Sequence, residues 1–198
     1  PTWNVNANET QAWLNNPHRK GHDHVGAIYG AAVRKEDINK VLSNINNNID
    51  DRGLILNWWQ PSQFDYGCLR PCLSQHNVTM IDGVVDLVST QRSVDMMCGN
   101  NFNAISIYFL GMLAAKLSGN VGGSALHVMS HCHIYETHLD GVEEYLARSV
   151  VDIDTTFKIL DIEHYSELTE TDLHAKEYFS LEGYNNTFQP KIGFKLIA

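Results

Sequence analysis

A chain of 198 residues with 43% hydrophobic content is long enough to bury one sizeable core and calls for no second domain. Its formal net charge of -9 argues against general nucleic-acid binding but leaves room for a local basic pocket that takes a small anion. Cys68, Cys72, Cys98 and Cys132 form neither a CxxC pair nor a framework spacing, which points to reduced thiols in a cytoplasmic setting, and no signal peptide or membrane span is visible.

In chain order, the polar run from Pro1 to His24 reads as a surface loop. Residues 36–49 place Ile38, Val41, Leu42, Ile45 and Ile49 on one helical face, and Asp50-Asp51-Arg52-Gly53 ends that helix. Residues 54–59 read as a buried strand, followed by a polar interruption that leads to Pro71-Cys72. Residues 78–81 and 84–89 form a hairpin, because Asp82-Gly83 between two apolar runs is a strong short turn signal. Apolar spacing then predicts a helix over 104–117, Gly119 to Gly123 a turn, and 124–135 a further strand. A helix over 136–148 turns Leu139, Val142, Tyr145 and Leu146 inward, 155–161 is a short strand, and 161–176 is acidic and broken before an apolar tail over 192–198. These elements describe an α+β domain, a mixed and mostly antiparallel sheet with helices packed on it.

Between the hairpin and the central helix lies the stretch with the most unusual chemistry, Gln91 to Asn103. Arg92 and Ser93 suit phosphate oxygens, since a guanidinium fork and a hydroxyl match them, and Asn103 both gives and takes hydrogen bonds, which suits the N3–H and O4 edge of a uracil. A solvated loop ending in a helix cap is equally compatible with these residues. Among the thiols, Cys72 is the best nucleophile candidate: it follows Pro71 in a polar loop beside Arg70, and a nearby cation favours the thiolate. The competing reading is the ordinary one for a free cysteine, a small buried hydrophobe. His127, His131 and His133 share one face if 124–135 is a single strand, which permits a zinc site, although a polar pocket wall in which His133 and Tyr135 meet a ligand hydroxyl fits these residues better.

Four motifs in order now carry a resemblance. Trp59 followed by Pro71-Cys72, the run Gln91-Arg92-Ser93-x-Asp95-x-x-x-Gly99-x-x-Phe102-Asn103, His133-Ile134-Tyr135 and Leu181-Glu182-Gly183-Tyr184 with a C-terminal Ala198 resemble the motifs of the thymidylate synthase family. The resemblance implies a homodimer that transfers a one-carbon unit from 5,10-methylenetetrahydrofolate to C5 of the pyrimidine nucleotide deoxyuridylate. It implies Cys72, Asn103 and Asp95 as catalytic residues, with Cys72 adding to C6 of the ring. Arg92 and Ser93 would hold the phosphate with Arg52 of the neighbouring subunit, Asn103 the base, and His133 and Tyr135 the sugar. Asp95, Gly99, Phe102, Trp3 and Ala198 would form the folate side and lid. The family's N-terminal portion, with a phosphate-loop arginine and a catalytic glutamate, would then lie outside this sequence.

Departures are also visible. Where the family has two consecutive arginines this chain has Arg52-Gly53 or, shifted by one, Asp51-Arg52; Asn100-Asn101 replaces Leu-Pro, Leu73 replaces a His, and Met129-Ser130-His131-Cys132 replaces a Gly-Gly-Asp segment. Two rival functions follow. One is a phage-type hydroxymethylase in which water meets the exocyclic methylene, a reading toward which Gln63-Phe64-Asp65-Tyr66 leans; the other is a silent homologue that binds a nucleotide or an RNA. Asn103 favours uracil over cytosine, and the retained Cys72 argues against the silent homologue.

Overall fold

The structure is a computed structural model that describes residues 3–151, 154–159, 162, 164–168, 179–184 and 189–194. Most of the acidic stretch over 161–176, Pro1 and Ala198 lie outside the described residues.

The chain opens with two short helices, α1 (Asn4–Glu9) and α2 (Gln11–Leu14), where the sequence reading expects only a loop. Tertiary burial explains the difference. Ala7 and Trp13 are buried, and the Trp13 indole N–H donates to the His24 carbonyl at 2.7 Å. One buried Trp therefore fastens a stretch whose composition is otherwise polar. Helix α3 (Lys35–Asn46) buries Val41 and Ile45 as its spacing predicts, while Ile49 falls beyond its end and is exposed.

Strands β1 (Ile55–Asn57), β2 (Leu73–Ile81), β3 (Val84–Gln91) and, after the short β4 (Val94–Asp95) and helix α4 (Asn100–Ser118), β5 (Val121–Met129) build the main sheet in the order β1-β2-β3-β5. The first two pairings are antiparallel and β3–β5 is parallel, so the sheet is mixed and mostly antiparallel, as expected. The β2–β3 hairpin turns at Asp82-Gly83 with φ of 52° and 78°, the positive values that a two-residue turn of this hand requires. Helix α4 provides the crossover to β5 and lays Ile107, Leu113, Ala114 and Leu117 on Val78, Val85 and Leu87 to form the core. Among the described residues no helix is long and apolar enough to cross a membrane.

Three further expectations are corrected. Strand β1 is three residues long, with Trp58 and Trp59 only half-buried, because its edge position gives it one partner. Gly122 and Gly123 lie inside β5 instead of in a turn: a Cβ at Gly123 would collide with the Asp86 carboxylate and the Val84 side chain, so glycine here marks close approach of two strands. The strand stops at Met129, and β6 (Cys132–His133) pairs with β4 as a separate two-stranded ladder. The single three-histidine face is thereby broken.

The expected helix over 136–148 is a 3-10 turn over 136–138 followed by α5 (Leu139–Leu146). Leu139, Tyr145 and Leu146 are exposed on it rather than inward. Gly141 instead faces Phe194 and Ile192, so the face without a side chain makes the contact. Strands β7 (Thr156–Ile159) and β8 (Phe179–Glu182) pair antiparallel and set Phe157 and Phe179 edge-to-face against Phe109 of α4.

Candidate active site

Cys72 sits immediately before β2 and is fixed through its backbone. Its N–H donates to the Tyr29 hydroxyl at 3.0 Å, and its carbonyl accepts from the Arg92 N–H at 2.9 Å. The first of these contacts spans 43 residues of sequence. It is possible because the chain before Tyr29 is tied to the loop before Cys72: Ala27 N–H donates to the Tyr66 carbonyl, Cys68 N–H to the Val25 carbonyl, and Gly26 bridges Gly67. A bulge at Ser74 then interrupts the β2–β3 register just after Cys72, the kind of irregularity that redirects a strand end.

On the opposite side, β4 and β6 set Asp95 directly across from His133. The Asp95 carboxylate accepts from the Met97 and Cys98 N–H groups at 3.0 and 3.1 Å, which opens the way into α4 and leads to Gly99, Phe102 and Asn103. Gln91, buried at the end of β3, donates from its amide to the Ser93 carbonyl and accepts from the His127 Nε2–H at 2.7 Å. The amide orientation thus sets the imidazole proton.

These segments enclose a cavity of about 560 Å³ whose lining includes Trp3, Tyr29, Cys72, Gln91, Ser93, Asp95, Cys98, Gly99, Phe102, Asn103, His133 and Tyr135. Of the residues singled out from sequence, Cys72, Ser93, Asp95, Gly99, Phe102, Asn103, His133, Tyr135 and Trp3 meet here. Arg92 does not line this cavity. Its guanidinium donates to the Pro71 and Arg70 carbonyls and lies over the Trp59 ring, and it borders two neighbouring hollows. Arg70, expected to influence Cys72, is exposed, with its guanidinium over the Phe64 ring. Arg52 is exposed on the loop before β1, and Ala198 lies outside the described residues.

Sequence reasoning missed Tyr29, gave Gln91 no role of its own although it opens the 91–103 motif, and ranked Cys98 below Cys72. Nothing local marks Tyr29, and only its long-range hydrogen bond reveals it. Burial first, and then the negative form of Cys72, push its hydroxyl up to about 12, so it stays protonated where it holds the Cys72 N–H. Burial and the Asp95 carboxylate push the Cys98 thiol up to about 11, which disfavours its thiolate in this cavity. Burial, and then Asp95, also raises the Tyr135 hydroxyl.

Asp95, Cys98 and His138 each place one donor atom within 4.8 Å of the others, a set able to meet a cation among the described residues. The histidines considered from sequence do otherwise: His127 is held by Gln91, whereas His131 and His133 contact each other.

The model of the thymidylate synthase family matches residues 2–198 of this chain. The chain belongs to the thymidylate synthase family. It is 43% identical over 148 residues to the thymidylate synthase of Aliivibrio fischeri, covering 70% of this chain and 52% of that protein. To the enzyme of Shewanella loihica it is 41% identical over 152 residues, covering 72% of this chain and 54% of the other. The chain therefore spans about half the length of the curated relatives it matches. The crystal structure of thymidylate synthase from T4 phage superposes with a TM-score of 0.74 at 26% identity, covering 98% of this chain and 70% of that one. Thymidylate synthase A of Bacillus subtilis gives the same TM-score at 20% identity over 98% of this chain and 73% of its own, a likeness of fold. In the thymidylate synthase architecture seen here, the family-like segments around Cys72, 91–103 and 133–135 come from separate strands and loops yet border one cavity.

Proposed function

We propose that this protein transfers a one-carbon unit from 5,10-methylenetetrahydrofolate to C5 of deoxyuridylate, producing thymidylate through a covalent bond between Cys72 and C6 of the ring. The observation that carries this reading is the convergence of a Cys72 thiol, the Asn103 amide and the Asp95 carboxylate on one cavity. Addition of the Cys72 sulfur to C6 moves the ring electrons toward C5 and O4, making C5 the nucleophile. Asn103 supports that charge by donating to O4 while accepting from N3–H. Tyr29 holds the Cys72 backbone, so it orients the nucleophile before attack.

The co-substrate would supply the one-carbon unit and the hydride that completes the methyl group, with the C5 proton lost to solvent before the carbon–sulfur bond breaks. Trp3 and Phe102 give the cavity an aromatic side beside the Asp95 carboxylate, which fits a flat, nitrogen-rich ring system. Gly99, next to Asp95, and Ala198 belong to that side of the reading. Ser93 and Arg92 serve the phosphate, and His133 and Tyr135 the sugar hydroxyl. Arg52, exposed and not among the residues lining its own cavity, is assigned to the neighbouring subunit of a homodimer.

Incubation with 5-fluoro-deoxyuridylate and the folate is expected to add the nucleotide mass to a peptide containing Cys72 and to none in Cys72→Ala. Turnover of deoxyuridylate in oxygen-labelled water is expected to yield a methyl product without label. A labelled hydroxymethyl product would assign the protein to the hydroxymethylases, and binding without either product would leave a silent homologue.

A further inference from the structure

Next to the main cavity lies a second hollow of about 510 Å³ lined by Arg92, Ser93, His131, His133, Ile134 and Tyr135. The two share Ser93, His133 and Tyr135, so a ligand that places its sugar between the shared residues extends its far end into this second space. For a nucleoside monophosphate that end is a dianion. Arg92 is the permanent cation lining the hollow, and two of its donors are already committed to the Pro71 and Arg70 carbonyls. With only one arginine where the family has two, the phosphate needs another donor.

The hydrogen bonds of the two histidines specify where it is. His133 Nδ1 lies 3.3 Å from the His131 carbonyl and 3.2 Å from His131 Nδ1. A carbonyl only accepts, so the proton sits on His133 Nδ1 and is shared between both acceptors. His131 Nδ1 is then an acceptor, and in the neutral ring the His131 proton is on Nε2, a donor not engaged by this pair. By the same logic His133 Nε2 is an acceptor, which suits the proton of a sugar hydroxyl. Chain connectivity fixes this pairing, because His131 precedes β6 and its carbonyl also accepts from the Val94 N–H at 2.8 Å.

We propose that His131, through Nε2–H, is a phosphate ligand of this site that acts beside Arg92 and Ser93, and that it distinguishes nucleoside monophosphates from nucleosides. The proposal rests on the nucleotide reading above and deepens it. It makes His131 a determinant of phosphate affinity and not of base or sugar recognition.

The test is a set of binding titrations with deoxyuridylate and deoxyuridine on wild type, His131→Phe and His131→Gln. Phe keeps an aromatic ring against His133 but has no donor, whereas the Gln amide reproduces a donor near the Nε2 position. Loss of one charge-assisted hydrogen bond predicts that His131→Phe lowers the nucleotide-to-nucleoside affinity ratio about 10-fold or more, with deoxyuridine affinity unchanged and the ratio largely kept in His131→Gln. An unchanged ratio in His131→Phe overturns the proposal alone, and so does an equal loss for both ligands, since that places the effect on His133 or the fold. Wild-type protein that binds neither ligand overturns the nucleotide reading itself.

Discussion

Tyr29 shows what a single side chain contributes to this site. Its hydroxyl accepts the Cys72 N–H, which otherwise has no hydrogen-bonded strand partner at this point of the chain, and removing it leaves a half-buried donor unpaired. An unsatisfied group of that kind costs about 1–3 kcal/mol, equivalent to roughly one to two decades in rate if felt fully in the transition state. Tyr29→Phe is therefore expected to lower kcat by about 10- to 100-fold with little change in the KM for deoxyuridylate, measured by steady-state kinetics. A rise in KM at constant kcat would instead make Tyr29 a binding residue. That Cys72 and Asn103 border one cavity was legible because both lie in local motifs of polar chemistry. Tyr29 was not, because its importance arises only when loops 43 residues apart are tied together. The direction of Arg92 was equally hidden, since two backbone carbonyls and the Trp59 ring draw it away from the cavity.

At the level of elements, the β2–β3 hairpin carries the most readable signal and a direct test. Gly83 has φ of 78° and no atom within 4 Å of a Cβ placed on it, so Gly83→Ala adds backbone strain without a clash. It is expected to cost about 1 kcal/mol, a fall of roughly 2–4 °C in Tm for a chain of this size. Strand β5 was misread because its two glycines look like a turn, whereas they serve close packing against Asp86 and Val84. Periodicity alone also could not show that the core face of the sheet carries a polar pair, His76 and Ser89, which are direct cross-strand partners with Nδ1 and Oγ 2.7 Å apart. Burial, and then the charge on His127, lowers His76 to about 4.

The unfolded chain protonates this imidazole below about 6.5, while the folded chain resists until about 4, so between these values the unfolded state binds more protons. Stability is fully present above about 6.5 and falls as pH drops toward 4, by roughly 3 kcal/mol from this group. Denaturant unfolding at a series of pH values should show that slope in wild type and a flatter one in the double variant His76→Phe/Ser89→Ala. Removing both partners together avoids leaving one unsatisfied. An identical slope in the double variant would move the acid sensitivity elsewhere.

For the whole molecule the informative feature is the face of the sheet turned away from α4. The row Ile55, Asn77, Val88 and Leu126 crosses all four strands in register, and Val84, Val121 and Val128 extend it. Leu126 is 57% and Val121 69% exposed, more apolar surface than a lone sheet ordinarily leaves in water. A second copy meeting this face about a two-fold axis buries the row against itself, and the reciprocity of such an axis delivers each exposed Arg52 to the neighbour's site if it delivers one. Sedimentation of wild type is thus expected to give twice the 22.3 kDa chain mass, and Leu126→Arg to shift it to monomer, because association would bury an unpaired guanidinium in an apolar face. Mixing inactive Arg52→Ala with inactive Cys72→Ala carries the argument to the chemistry. Random exchange makes half of the dimers mixed, each with one site that has both residues, so about a quarter of wild-type activity should return. Mixed dimers that form but remain inactive would sink the assignment of Arg52 to the neighbouring site, and a wild-type chain that sediments as a monomer at micromolar concentration would remove the interface altogether.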